Sequence, residues 1–138
     1  MGKSKFNWWP FVVNMTRDHP IYASQVGQAV RLSPQEQREY DTVCKAIEVT
    51  REMPDGKTRL DVVELTLWAG THNTLSAADE LGISPYAARQ IRWQFVLLVG
   101  HLYGFLTEEE YTALSSDIQR SHHFYGVYCK HEFQAEND

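Results

Sequence analysis

Cysteines and long apolar runs are scarce in this chain. The two cysteines, Cys44 and Cys129, stand far apart and lack the spacing of a disulfide framework, which favours a reduced, cytoplasmic protein. No apolar run approaches the roughly 20 residues that a bilayer span requires. The apolar patch near the N-terminus has no small-residue cleavage site, so it does not resemble a secretory signal. We therefore expect no membrane partner.

The sequence also lacks the motifs of common catalytic sites. It contains no glycine-rich phosphate loop, no G-x-S-x-G, no H-E-x-x-H and no histidine–cysteine pair with catalytic spacing. Metal-ligand residue types gather near the C-terminus at His122, His123, Cys129 and His131, but their spacing matches no zinc template. We therefore expect no enzyme activity, no metal site and no cofactor.

Basic residues are outnumbered, with 13 lysines and arginines against 18 acidic residues and a formal net charge of −5. Proteins that bind DNA without sequence preference are usually basic, because phosphate neutralisation supplies most of their affinity. Any DNA binding by a single copy should therefore be modest, and a second copy or a basic partner would strengthen it. Hydrophobic residues make up 43% of the chain, which is typical of one globular domain with short appendages.

Residues 74–102 have the pattern of a helix-turn-helix. Thr74 is a candidate N-cap, and Leu75, Ala78 and Leu81 recur on one face of a short helix. Gly82 follows at the position of a left-handed C-cap. Ser84 and Pro85 then provide an N-cap and a first-turn proline for a second, longer helix. The small residues Ala77, Ala78 and Ala88 would let the two helices cross closely. The inward stripe of the second helix comprises Ala88, Ile91, Phe95, Leu98, Val99 and Leu102.

The opposite face of the second helix begins with Tyr86, Arg89, Gln90 and Trp93. Arginine and glutamine are the side chains that form paired hydrogen bonds with guanine and adenine edges in the major groove. This face is thus a candidate DNA-reading surface. The alternative is two ordinary packed helices, since such turns are common in all-α proteins.

Caps and apolar periodicity elsewhere predict an all-α fold, a small helical bundle with a short irregular or β-like C-terminal tail. Residues 1–32 should hold a helix that ends near residues 17–20, followed by a weak helix or connector. Residues 33–106 should form the helical core, with helices over 33–53 and 58–69 before the helix-turn-helix. Residues 107–138 should hold a capped helix to about residue 120 and then the aromatic tail.

Aromatic residues at both ends of the chain are candidates for a protein interface. Two adjacent tryptophans, Trp8 and Trp9, cannot easily both point into one core, and exposed tryptophan often marks an interface. The alternative is that both pack under the first helical turn. Phe124 and Tyr128 in the tail could likewise contact a second copy, which makes a homo-oligomer a candidate state.

Three blocks of the sequence resemble the ArpU/RinA-type family of phage and prophage transcriptional regulators, whose C-terminal half is similar to region four of bacterial sigma factors. The blocks are EYDTVCKAIEVT at 39–50, MPDGKTRLDVVELTLW at 53–68 and AADELGISPYAARQIRWQFVLLVGHLYGFL at 77–106. The opening NWWPFVVNMTRDHP at 7–20 also resembles the start of family members. The resemblance thus extends over roughly residues 6–106.

The resemblance implies control of late or lytic phage genes in the cytoplasm of a bacterial host, through promoter DNA and with RNA polymerase as a candidate partner. It implies that the second helix of the motif enters the major groove. Ser84, Tyr86, Arg89, Gln90 and Trp93 would then face bases or backbone, and Arg92 would contact a phosphate. The alternative is an assembly or host-protein-binding protein, similar to a small terminase subunit, that uses the same fold for protein contacts.

Overall fold

The computed structural model describes residues 7–120, with side chains described over 7–115, and this part of the chain is an all-α bundle of six helices. The helices are α1 Trp9–Gly27, α2 Pro34–Arg51, α3 Gly56–Val63, α4 Thr74–Leu81, α5 Pro85–Tyr103 and α6 Glu108–Arg120, and a π-helical segment, Glu64–Trp68, continues α3. The predicted all-α fold is confirmed. The aromatic tail lies outside the described residues. No described helix is long and apolar enough to cross a membrane.

Two capping boxes start helices where the sequence predicted them. The Ser33 amide donates to Glu36 Oε1 (2.9 Å) and the Glu36 amide donates to Ser33 Oγ (3.1 Å). At α6 the Thr107 amide donates to Glu110 Oε1 (2.9 Å) and the Glu110 amide to Thr107 Oγ1 (3.1 Å). Each box satisfies amide groups that a helix start leaves without partners.

Helix α5 is the centre of the bundle, and α1, α2, α3, α4 and α6 all contact it. Between Arg92 and Gly100 every residue except Gln94 is buried. The main core joins residues of α5, such as Phe95 and Val99, to Val12 of α1 and Val43 of α2. The helix predicted within residues 1–32 therefore belongs to the same core as the rest of the bundle.

Helix α1 differs from the prediction, because it does not end near Pro20 but continues to Gly27. Proline has no amide hydrogen, so the carbonyl of Thr16, four residues earlier, loses its helical donor. The indole of Trp68 replaces that donor, with Nε1 donating to the Thr16 carbonyl at 2.9 Å. The prediction of a helix end at this proline was wrong because a tertiary hydrogen bond satisfies the carbonyl that Pro20 leaves open.

The predicted helix over 58–69 begins two residues earlier, at Gly56, and its final turn is π-helical. Asp55 adopts a left-handed conformation (φ 59°) before it. Gly56 lies so close to α2 that a Cβ there would stand 2.5 Å from the Arg51 carbonyl oxygen, so a side chain has no room. A π turn takes one more residue than an α turn and so changes the direction in which later side chains point. Trp68, at the end of this turn, reaches α1.

We expect the Trp68–Thr16 hydrogen bond to be energetically coupled to Pro20. Trp68→Phe removes the indole donor and leaves the Thr16 carbonyl without a partner, which should lower the free energy of unfolding by about 1–3 kcal/mol beyond the lost packing. In a Pro20→Ala background, the Ala amide can donate to Thr16, so the same replacement should cost less. Urea unfolding of the four proteins in this double-mutant cycle measures the difference. An equal loss of unfolding free energy in both backgrounds would show that Trp68 does not replace the donor that Pro20 lacks.

His19 lies under the same part of α1 and is 9% exposed. Its ring stacks on Tyr40 with 5.1 Å between centroids, and Trp68 lies at 6.0 Å. Among the described residues, Nδ1 of His19 has no hydrogen-bond partner. Burial lowers the pKa of His19 from its ordinary value of 6.5, because the charged imidazolium would lose its hydration.

The lowered pKa of His19 predicts acid sensitivity. The unfolded chain binds the His19 proton at a higher pH than the folded chain, so stability is complete above pH 6.5 and falls as the pH drops through and below that value. His19→Phe keeps an aromatic ring against Tyr40 and removes this proton. Urea unfolding at pH 7.5 and pH 5.5 should show a smaller loss on acidification for the variant than for the unsubstituted chain. An identical loss would exclude His19 as the source.

Candidate nucleic-acid interface

Helices α4 and α5 form the predicted helix-turn-helix, and the chemistry of its turn is as expected. Gly82 ends α4 in a left-handed conformation (φ 71°), and the Ile83 amide donates to the Ala78 carbonyl at 3.0 Å. Ser84 caps α5, accepting a hydrogen bond from the Ala87 amide at 3.0 Å, and Pro85 is the first residue of the helix. These local groups fix the short turn of three residues, 82–84, between the two helices.

The start of α4 differs from the prediction in one respect. The N-cap is Asn73 and not Thr74, since Asn73 Oδ1 accepts from the Ser76 amide at 2.8 Å. Thr74 is the first residue of the helix and is buried. Leu75, predicted to face inward, is 57% exposed, so the inward face of α4 consists instead of Ala77 and Ala78 with Leu81 at its edge.

A small core holds the two helices together. Ala78 of α4 and Ala88 of α5 are buried against Val62 of α3. Methyl side chains at both contact points allow the backbones to approach closely, as a helix-turn-helix requires. Helix α3 is therefore the third helix of the motif, and Leu81, Ile83 and Ile91 enclose the contact.

The first two turns of α5 are the open part of the helix. Ser84 is exposed, and Tyr86, Arg89 and Gln90 are half-buried, so part of each side chain reaches the surface. In a helix-turn-helix, residues near the N-terminus of the second helix contact base edges. The structure thus places four of the six predicted DNA-facing residues on one open segment.

The other two predicted contacts lie inside the bundle. Arg92 is 8% exposed and Trp93 is 6% exposed, so the prediction that they face outward was wrong. The ring of Trp93 packs on Trp9 with centroids 5.5 Å apart, and Leu106, Tyr111 and Leu114 cover the same side of α5. For Trp93 the physical reason is that α1 and α6 cover the face of α5 that continues from its open end.

The two N-terminal tryptophans are part of this cover. Trp8 stacks on Phe105 with 5.3 Å between centroids and an interplanar angle of 5°, and its ring lies over Gly100, where a Cβ would approach it to 2.6 Å. Both tryptophans are half-buried within the chain. This geometry matches the alternative in which both pack internally, against α5 rather than only under the first turn of α1. Phe124 and Tyr128, the other predicted interface residues, lie outside the described residues.

Charged side chains beside the motif are of both signs. Arg59 of α3 donates from Nη1 to Gln94 Oε1 at 2.8 Å, which brings a cation to α5 one turn beyond Gln90. On α4, Asp79 and Glu80 are exposed, and Glu80 Oε1 contacts His72 Nε2 at 2.8 Å. The neighbourhood of Gln90 is therefore more positive toward α3 than toward α4.

Gln94 was missing from the predicted site. Its signal in the sequence is a single polar residue within the run WQFVLLV at 93–99, four residues after Gln90 and thus on the same helix face. The hydrogen bond from Arg59 to the Gln94 amide oxygen explains why this one position in the run is polar.

Among the residues that the structure describes, no three histidine, cysteine, aspartate or glutamate side chains form a group that could hold a metal ion. His122, His123, Cys129 and His131 lie beyond these residues.

Comparisons with known proteins identify no relative. The sequence matches no protein-family model, no curated protein matches it significantly, and no solved structure does so.

We expect the alanine contact between α4 and α5 to tolerate little extra volume. Ala88→Leu adds three carbon atoms at a fully buried position, which should lower the free energy of unfolding by about 1–3 kcal/mol. Ala113→Leu, at an exposed position of α6, makes the same chemical change and should be nearly neutral. Thermal unfolding of the two variants tests this difference. Similar melting temperatures would show that α4 and α5 do not depend on a close approach.

Proposed function

We propose that this chain is a DNA-binding transcription regulator that reads a promoter or operator through α5, as the resemblance to ArpU/RinA-type regulators implies. The observation that carries the proposal is the contrast along α5. The helix is covered almost completely from Arg92 onward, while its first two turns are open and carry Arg89 and Gln90. An arginine and a glutamine at the open end of a recognition helix suit direct reading of guanine and adenine.

The proposed contacts are divided by chemistry. Arg89 and Gln90 would read base edges in the major groove, while the Ser84 hydroxyl and the Tyr86 phenol would contact the sugar–phosphate backbone. Arg92 and Trp93 do not contact DNA directly in this proposal, because both are buried. Trp93 instead fixes the direction of α5 by packing on Trp9.

The acidic balance of the chain is in keeping with a regulator that does not act alone. With 18 acidic and 13 basic residues, the chain supplies few cations for phosphate neutralisation. A second copy or RNA polymerase on the same promoter would supply the missing affinity, and base reading by α5 would supply the specificity. We place this activity in the cytoplasm of a bacterial host cell.

The alternative is a protein that contacts other proteins through the same motif, in phage assembly or in binding a host protein. The observation in its favour is Leu75, which is 57% exposed on α4 beside the exposed residues Asp79 and Glu80. An exposed leucine next to carboxylates would suit a partner protein whose surface has an apolar patch flanked by basic residues.

The proposal predicts that two substitutions on α5 weaken sequence-specific DNA binding without lowering the stability of the fold. Duplexes selected from a random DNA library by the chain provide the ligand, and fluorescence anisotropy at fixed salt measures affinity. Arg89→Ala and Gln90→Ala should each weaken binding to the selected duplex by about 5- to 150-fold, since one paired contact to a base contributes about 1–3 kcal/mol of discrimination. Binding to a scrambled duplex should change much less, and the melting temperature of each variant should stay close to that of the unsubstituted chain.

Arg17→Ala is the matched control, because it removes an exposed arginine from α1 and leaves the helix-turn-helix intact. It should retain the preference for the selected duplex. If no duplex is enriched in the selection, or if the α5 variants retain full affinity for the enriched duplex, the DNA-reading role of α5 is excluded. Failure to enrich any duplex would favour the protein-contact alternative.

A further inference from the structure

A cleft of about 120 Å³ lies where α2, α3, α5 and α6 meet, beside the helix-turn-helix. Its apolar wall comprises Met53, Ile91, Phe95 and Leu98. A cavity of about 150 Å³ is large enough for benzene, whereas one water molecule takes about 30 Å³ of liquid volume. The cleft is therefore the size of a short organic molecule rather than of a single water.

Polar groups also line this cleft. Arg59, Gln94 and Tyr111 contribute a guanidinium, a carboxamide and a phenol to its lining. Arg59 uses Nη1 to bond Gln94 (2.8 Å) and Nε to bond the Pro54 carbonyl (3.3 Å). Among the described residues no carboxylate pairs with Arg59. Arg59 is thus half-buried, lines a mainly apolar space and keeps N–H donors beyond these two bonds.

The phenol of Tyr111 can act as a second donor. Burial raises the pKa of Tyr111, while its hydrogen bond with Ser115 lowers it, the Glu108 charge raises it and the Arg59 charge lowers it. The phenol therefore keeps its proton at neutral pH. The Glu108 carboxylate, which would repel an anion, is itself held by His101 Nε2 at 3.1 Å.

We propose that this cleft binds a small monocarboxylate, whose short apolar body contacts Ile91 and Phe95 and whose carboxylate pairs with Arg59. Arginine pairs with a carboxylate through two parallel hydrogen bonds, and the low polarity of the surrounding wall strengthens such a pair. The volume of the cleft suits a short ligand, and the guanidinium disfavours a cation. The bound carboxylate would compete with the Gln94 amide oxygen for Arg59 Nη1. Carboxylate binding in the cleft does not depend on DNA binding by α5, so a failure of either activity does not exclude the other.

Three probes of equal chain length separate charge from apolar contact: butyrate, butyramide and butylammonium. In two-dimensional NMR titrations, butyrate should cause saturable shifts of the Ile91 and Gln94 signals at millimolar concentration, an affinity that suits a ligand with few atoms. Butyramide should bind at least about tenfold more weakly, because it lacks the charge that pairs with Arg59. Butylammonium should not bind there, although the chain as a whole is negative.

Two variants with the same change of charge complete the test. Arg59→Gln should weaken butyrate binding by at least about tenfold. Lys57→Gln is the control, since Lys57 is 88% exposed, pairs with Asp61 and does not line the cleft. It should leave the affinity within about twofold, because exposed charges are screened. Shifts that do not saturate, equal binding of butyrate and butyramide, or equal losses in the two variants would overturn the proposal. The comparison of the three probes needs only the unsubstituted chain, so it remains decisive if Arg59→Gln fails to fold.

Discussion

The length of α5 is the constraint on which the rest of this structure depends. One continuous helix, Pro85–Tyr103, serves the helix-turn-helix with its first half and the core of the bundle with its second half. Because a helix is stiff over this length, the direction of the open first turns is set by packing near Phe95 and Val99. Trp8 and Trp9, at the start of α1, and the first turns of α6 contribute to that packing. The candidate reading face is therefore fixed by the whole bundle and not by its own turn alone.

The parts of the fold that depend only on residues close by in the sequence could be predicted from the sequence. Ser33, Thr107, Gly82 and Ser84 act within a few residues of their own position, and each behaves as its residue type predicts. Pro20 has the same local meaning, yet α1 continues through it because Trp68, 48 residues away, donates to Thr16. Sequence periodicity contains no information on such a distant donor, and it does not predict the π turn that places the donor.

The same distinction, between effects of residues close in the sequence and effects of distant packing, applies to the candidate site. Arg89 and Gln90 could be assigned to an open face because the turn before them fixes the start of α5. Trp93 belongs to the same helical stripe, but α1 and α6 cover that stripe one turn later. A helical projection shows which residues share a face, whereas the length of that face left open depends on how other helices pack. Gln94 and Arg59 were missed as a pair for the same reason, since they meet only through the packing of α3 against α5.

The bond between Trp68 and Thr16 also has a consequence for the order in which the chain folds. A segment containing α1 alone has only water to satisfy the Thr16 carbonyl, and an interior proline costs a helix about 3 kcal/mol. The continuous helix Trp9–Gly27 should therefore form only once the π turn has brought Trp68 alongside it. During synthesis Trp68 emerges 41 residues after Gly27, the last residue of α1, so the second half of α1 would become stable only after that delay. Helix α1 would thus complete the bundle late, although it is synthesised before the other described helices.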